Sequence, residues 1–384
     1  MHCRQLLLAG TAVLSLHAGL VNAQGMSSQL GVPIELREEV RNSYIFVFRG
    51  VAAPETVRQR ALELAARAGG QVSHVYTHSI QGFAARLPDQ AAARVIENNP
   101  LIDYAEPDQI AFAFQKPQKG GNGGGGVACT SPQQTPWGIL AVGGPILEAP
   151  IGAAAWVIDS GIDFEHPDLN VDTARSKSFL GRRSSADDGH GHGTHVAGTI
   201  GARDNGCDVV GVAPGVPLVA VRVLDNNGSG SYSGVIAGVD YVARTASPGD
   251  VANMSLGGPY SKSLNDAVIL AANKGIYFSL AAGNESDDAS AYSPASAEGA
   301  NIYTVSAVDG NNVFAWFSNY GLAVDCAGPG VSVLSTQNGG GTTSFSGTSM
   351  AAPHVAGLLL FGPPAFGGTV TGDPDGHPDR LCTH

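Results

Sequence analysis

Apolar positions fall into two rhythms along the chain. In the first part, the apolar run at 44–48 reads as a strand, and 54–68 carries the spacing of an amphipathic helix. Strands follow at 72–76 and 82–87, then a helix at 89–97 and a strand at 102–108. This β-α-β-β-α-β order predicts a small α+β unit of ferredoxin-like topology over about 42–112. A glycine-rich stretch at 118–128 has the composition of a flexible linker, a ready target for proteolysis.

From Trp137 onward, strands expected at 153–158, 218–223, 251–255, 276–281 and 302–307 alternate with helices at 193–202, 233–243 and 264–274. Alternation of this kind predicts an α/β fold, a mostly parallel sheet with helices on both faces. Ligands of such sheets bind at the carboxyl ends of the strands, so chemistry is sought there.

Composition narrows the class. In a chain of 384 residues, 43% hydrophobic and 14% charged with 52 glycines, two compact, turn-rich units are expected. The net charge of −12 argues against nucleic acid or an anionic membrane as partner, and the acidity belongs chiefly to the part after residue 115. Residues 1–23 run from Arg4 through an apolar stretch to Val21-Asn22-Ala23, the pattern of a secretory signal, and the apolar run is too short to span a bilayer. The mature protein is therefore expected to be extracellular, with 24–117 a removable N-terminal segment and 129–384 the larger domain. Cys3 would leave with the signal; Cys129, Cys207, Cys326 and Cys382 allow three pairings that sequence does not choose between.

Three blocks carry candidate chemistry. Asp159 closes an apolar strand and is followed by Ser160-Gly161, a placement that a turn aspartate would share. In Gly189-His190-Gly191-His192-Gly193-Thr194-His195, glycines surround three histidines at the start of a helix, leaving an imidazole room to approach another group. Ser349, in Gly347-Thr348-Ser349-Met350-Ala351, stands at the mouth of a small-residue helix, where developing negative charge is favoured. A hydroxyl becomes a nucleophile when a neutral imidazole takes its proton, and a carboxylate orients the imidazolium that results. The chain order Asp, His, Ser is that of subtilisin and differs from those of chymotrypsin and the α/β-hydrolases.

These blocks, with segments from about 135 to 357, resemble the subtilisin (subtilase) family and its proteinase K-like branch. The resemblance implies that Asp159 orients, His192 is the general acid/base and Ser349 attacks; His190 and His195 match no catalytic role. Ala281-Ala282-Gly283-Asn284 resembles the family's oxyanion segment, with Asn284 as donor. Gly228-Ser229-Gly230 and Ser255-Leu256-Gly257 resemble the segments that bind an extended peptide as an added strand. Ala281, Ala282 and Gly283 would line the pocket for the residue before the scissile bond (P1), expected to be hydrophobic. The N-terminal unit, through Gly82-Phe83-Ala84-Ala85 and Tyr104-Ala105-Glu106-Pro107-Asp108, resembles the inhibitor-like propeptide, implying a self-processing zymogen cut between about Phe112 and Cys129. Asp325 matches a position that contributes to a structural calcium site completed by carbonyls near 299–301. The chemistry itself implies no cofactor. The expected partners are protein or peptide substrates and the chain's own propeptide, with no nucleic acid and no membrane, and a monomer is expected. Two other classes stay open: an inactive pseudoprotease that binds peptides, and a zinc hydrolase built on His190, His192 and His195. The segment after the serine helix is short for the family, with Gly362-Pro363-Pro364 stopping the helix early.

Overall fold

The computed structural model describes residues 32–113, 131–148, 150–152, 154–181 and 183–384; the expected signal 1–23, the linker 118–128 and Cys129 lie outside them. The N-terminal unit begins with α1 (Ile34–Val40) and continues through β1 (Ser43–Phe48), α2 (Pro54–Arg67), β2 (Gln71–Tyr76), β3 (Gly82–Arg86), α3 (Asp89–Glu97) and β4 (Ile102–Pro107). Its strands form one antiparallel sheet in the order β2-β3-β1-β4. Successive side chains of β1 point to opposite faces, and both faces are covered. Phe46 and Phe48 pack with Phe83 against Val57, Ala61 and Ala65 of α2, whereas Ile45 and Val47 join the core of the second unit. That double burial is why 44–48 is uninterruptedly apolar rather than alternating.

Beyond this sheet, β5 (Ile110–Ala113) departs to pair with the other unit. Sequence pattern did not separate it, because four residues are too few to show a period.

The second unit holds α4 (Trp137–Ala141), β6 (Ala155–Asp159), β7 (Lys177–Ser178), α5 (His192–Gly201), β8 (Leu218–Arg222), β9 (Ser229–Ser231), α6 (Tyr232–Thr245), β10 (Val251–Met254), β11 (Leu256–Pro259) and α7 (Lys262–Ala272). It continues with β12 (Tyr277–Ala281), β13 (Tyr292–Ser293), β14 (Ile302–Val308), β15 (Cys326–Pro329), β16 (Val333–Thr336), β17 (Thr342–Phe345), α8 (Thr348–Leu359), β18 (Ala365–Thr369) and β19 (Arg380–Thr383). Nine strands form the central sheet, in the order β18-β19-β15-β14-β12-β10-β6-β8-β7, parallel throughout except for the β18–β19 pair. Helices α5 and α8 pack on one face with Val196, Ile200, Met350 and Val355; α6 and α7 pack on the other with Val235, Val239, Leu264 and Val268. The expected α/β architecture is therefore observed.

The edge strands β7 and β18, and β19 beside β18, were not anticipated. Lys177–Ser178 and the Gly-rich β18 carry no apolar period, so their strand character comes from the neighbour they pair with. A Cys326–Cys382 disulfide ties β15 to β19, and Cys207 is also disulfide-bonded. The α8 helix ends at Leu359, as the Gly-Pro-Pro sequence predicted, and the chain then runs on to build the sheet edge.

One carboxyl at that edge titrates unusually. Burial, with Asp373, Asp375 and Asp325 nearby, pushes Asp379 up to about 7, against a bond from the Ser306 hydroxyl that pulls the other way. The unfolded carboxyl titrates near ~3.9. Between those values the folded chain holds the proton that the unfolded chain has lost, so stability falls as pH rises through that window. Asp379→Asn removes this slope: between about pH 4.5 and 8 the variant should lose less in thermal midpoint than the wild type, and equal losses would refute the assignment.

Candidate active site

At the carboxyl end of β6, Asp159 is fully buried, and such a carboxylate requires partners. Its Oδ1 and Oδ2 lie 2.8 and 2.9 Å from His192 Nδ1, and Oδ1 also accepts the Ser160 N–H at 2.6 Å. His192 is the first residue of α5 and equally sealed from solvent. Two glycines permit this approach. Gly161 turns the chain at φ +111°, and a Cβ on Gly193 would lie 2.1 Å from the Gly161 carbonyl.

Asp188, which sequence analysis passed over, fixes the start of α5. Its Oδ1 accepts the Ser160 hydroxyl and the His190 and Gly191 N–H groups, each at 2.9 Å; its Oδ2 accepts the Thr194 N–H at 3.0 Å and the Thr194 hydroxyl at 2.6 Å. One carboxylate thus satisfies the Thr194 N–H of the helix's first turn and the two N–H groups just before the helix, and ties them to Ser160, the residue after Asp159. Its signal was legible: an acid placed four residues before a helix that has no Ser, Thr or Asn at its cap.

Ser349 is the second residue of α8, buried, and its hydroxyl donates to the Ser255 carbonyl at 3.0 Å. His192 Nε2 is buried with no hydrogen-bond partner. The Asp–His leg is made in this structure, while the serine hydroxyl rests on β11's side of the cleft. Hydrogen bonds of this kind commonly tighten only with substrate. Asn284 follows β12; its Oδ1 accepts the Thr348 N–H and hydroxyl, both at 2.9 Å, which fixes the end of the amide turned to the α8 backbone.

His195 serves structure. His195 stacks on Phe345 at 4.5 Å between ring centroids, its Nε2 meets the Val333 and Thr343 carbonyls at 3.1 and 3.2 Å, and burial pushes it down to about 3. A nitrogen that donates to carbonyls does not ligate a metal, and among the described residues no three His, Cys, Asp or Glu side chains are grouped to hold one. The zinc expectation at His190, His192 and His195 is thus corrected.

Residues 154–361 match the Subtilase family, and residues 43–113 match Peptidase inhibitor I9. The chain belongs to the subtilase family. "Subtilisin-like serine protease AsES" of Sarocladium strictum is 35% identical, with 97% of this chain aligned to 96% of that protein. "Extracellular serine proteinase" of a Thermus strain is 37% identical over 91% of this chain and 87% of that protein. A crystal structure of a cold-adapted subtilisin-like serine proteinase superposes with a TM-score of 0.56 and 38% identity, covering 64% of this chain and 97% of that one. This subtilase is accordingly a serine protease with an inhibitor-type N-terminal domain.

In the subtilase cleft, a second sheet runs in the order β13-β11-β5-β9, with β5 of the N-terminal domain antiparallel to both neighbours. Ile110, Ala111 and Phe112 pair with Ser231, Gly230 and Ser229; Phe112 and Ala113 pair with Gly257 and Leu256. The Ala113 N–H donates to the Gly228 carbonyl at 2.8 Å. Ala111 points into an apolar pocket with Leu224, Tyr232 and Leu256, and Ile110 and Phe112 face outward under Val32, just before α1, and Leu36 within it. Acidic side chains hold the two domains together. Glu106 accepts from Ser261, Lys262 and Ser263 at the start of α7, Asp108 accepts the Ser233 N–H at 3.0 Å near the start of α6, and Asp240 of α6 accepts the N–H groups of 77–79. The segments 228–230 and 255–257 therefore flank one extended strand of the chain itself.

Proposed function

We propose that this subtilase is a secreted endopeptidase, made as a zymogen that cuts itself and is then held by its own N-terminal domain. The observation that carries the reading is β5, seated between 228–230 and 255–257 as a peptide added to a sheet edge. Backbone pairing tolerates many side chains, so specificity is broad. Continuing the register, a peptide's next residue falls opposite Ser255, whose carbonyl touches the Ser349 hydroxyl. That residue precedes the scissile bond, so the first cut in cis lies after the residue that follows Ala113.

In this reading the Ser349 hydroxyl turns from Ser255 to His192 Nε2, which takes its proton as the oxygen attacks the carbonyl. Asp159 holds Nδ1 and stabilises the imidazolium. The Asn284 amide and the Ser349 N–H bind the oxyanion, His192 returns the proton to the leaving amine, and water releases the acyl group by the same steps. The pocket for the residue before the cut is floored by buried Ala281, Ala282 and Gly283. The carboxylates beside it are engaged, Glu285 with Asn319 at 2.8 Å and Asp287 with Tyr292 at 3.2 Å, which favours an apolar side chain. Secretion is supported by the N-terminal pattern; among the described residues no helix is long and apolar enough to cross a membrane.

Self-processing tests the reading. Wild-type protein should be released with a new N-terminus between Phe112 and Cys129, and Ser349→Ala should stay full length and refuse a fluorophosphonate label. Asn284→Ala should process about 10²- to 10³-fold more slowly, the magnitude found for this donor in a subtilisin, a relative of this chain. A labelled Ser349→Ala protein would overturn the mechanism, and a correctly folded, unlabelled wild type would identify an inactive pseudoprotease.

Structural calcium at Asp325 belongs to the same proposal. Burial, with Glu298 adding repulsion, pushes this carboxyl up to about 6, while its Oδ2 accepts the Thr304 N–H at 2.8 Å. A cation held by Asp325 and carbonyls of 299–301 would offset that cost, most of its oxygens coming from backbone. Calcium should raise the thermal midpoint of the wild type above its chelated value by several degrees, and Asp325→Asn should abolish the difference. An undiminished response in the variant would move the site elsewhere.

A further inference from the structure

His190 stands against the cleft with no assigned use. It is 7% exposed, and among the buried histidines described it alone has neither ring nitrogen engaged in a hydrogen bond. Buried polar atoms normally find partners, and one left without them costs its full desolvation. The vacancy at His192 Nε2 is explained by the nucleophile's proton. No such explanation covers His190, whose ring centroid is 6.2 Å from that of His192.

Its position supplies one. The point that a Cβ on Gly228 would occupy lies 2.9 Å from His190 Nε2 and 3.4 Å from the Cβ of Ala113. The imidazole edge, the bare glycine backbone and the side chain of the strand in the cleft therefore converge on one spot. Ala113 is the residue opposite Leu256, one before the residue that faces Ser255. In a bound substrate this is the second residue before the scissile bond.

We propose that His190 is a specificity-determining residue, hydrogen-bonding a short amide or hydroxyl side chain, such as Asn, Ser or Thr, at that substrate position. The assignment rests on the endopeptidase reading and specifies one of its subsites. Burial first, and His192 beside it, hold the ring below its ordinary pKa, with Asp159, Asp188 and Asp225 pulling weakly the other way. A neutral imidazole offers one donor and one acceptor, which suits an amide or a hydroxyl better than a carboxylate. The alanine that the chain's own strand places here has neither group. The inhibitor strand thus leaves the ring unsatisfied, and a substrate with the right side chain gains a bond that the inhibitor lacks.

The test uses the secreted, self-processed protein and peptides identical except for Asn, Ser, Ala or Leu at the second position before the cut. The ratio of kcat/KM for Asn over Ala should be about threefold to tenfold, the span of one net hydrogen bond. His190→Phe, which keeps a ring of similar volume, should collapse that ratio, and His190→Asn, which keeps a donor and an acceptor, should retain it. A flat ratio in the wild type, a ratio that survives His190→Phe, or an equal fall for every peptide would overturn the assignment in an enzyme still labelled by fluorophosphonate. Absence of both cleavage and labelling in the wild type would instead overturn the endopeptidase reading beneath it.

Discussion

A carboxylate with no access to water must be surrounded by donors, and the site is organised around that demand at Asp159. Its oxygens are met by the His192 ring and the Ser160 N–H. Ser160 in turn reaches Asp188 and the Gly193 N–H, so the end of β6 and the start of α5 are stitched through two acids and one hydroxyl. Losing one member of a buried network of this kind leaves the others unpaired, at roughly 1–3 kcal/mol per group. The glycines at 161 and 193 follow from the same demand, since any Cβ at 193 would meet the Gly161 carbonyl.

The serine side of the cleft is held differently. Ser255 and Ser349 exchange reciprocal bonds, the hydroxyl of each donating to the carbonyl of the other at 2.9 and 3.0 Å, and Asn253 supports the Ser255 hydroxyl at 2.9 Å. A side chain free to turn about one bond sits opposite an imidazole fixed by two. In the proposed mechanism, rotation is thus confined to the hydroxyl that must move, and the imidazole that would receive its proton is held.

Much of this was legible in the sequence, for reasons that differ by element. The parallel core showed itself because β6, β8, β10, β12 and β14 are buried on both faces and hence largely apolar, with Asn253, Ser279, Thr304 and Ser306 as buried polar interruptions. His192 and Ser349 were visible through the small residues that close packing forces around them. Asp159 was visible through order alone, since strand ends often carry aspartate. Asp188 was legible too, since four of its five donors come from residues 190–194, but an acid four residues before a helix is a weaker sign than a Ser, Thr or Asn at the cap itself. The placement of β5, the covering of Phe112 by α1 and the Cys326–Cys382 bond were illegible, being long-range pairings with no local pattern.

The two interfaces of the cleft also differ in kind, and the difference suits an inhibitor that must eventually leave. Asp159 and His192 are sealed, with no water able to replace either partner. The N-terminal domain is held by an apolar face, a short backbone ladder and acids set against the N-termini of α6 and α7. Acids at helix starts contribute about 0.3–1 kcal/mol each when exposed and up to about 2 when partly buried. Water or a substrate backbone can substitute for much of this. A contact set that is individually modest but cooperative while the chain is continuous loses its advantage once the connecting bond is cut, because the effective concentration of β5 then falls to that of a separate molecule. On the proposed self-processing reading, the same strand would therefore inhibit in cis and yield to substrate in trans without any change in its contacts.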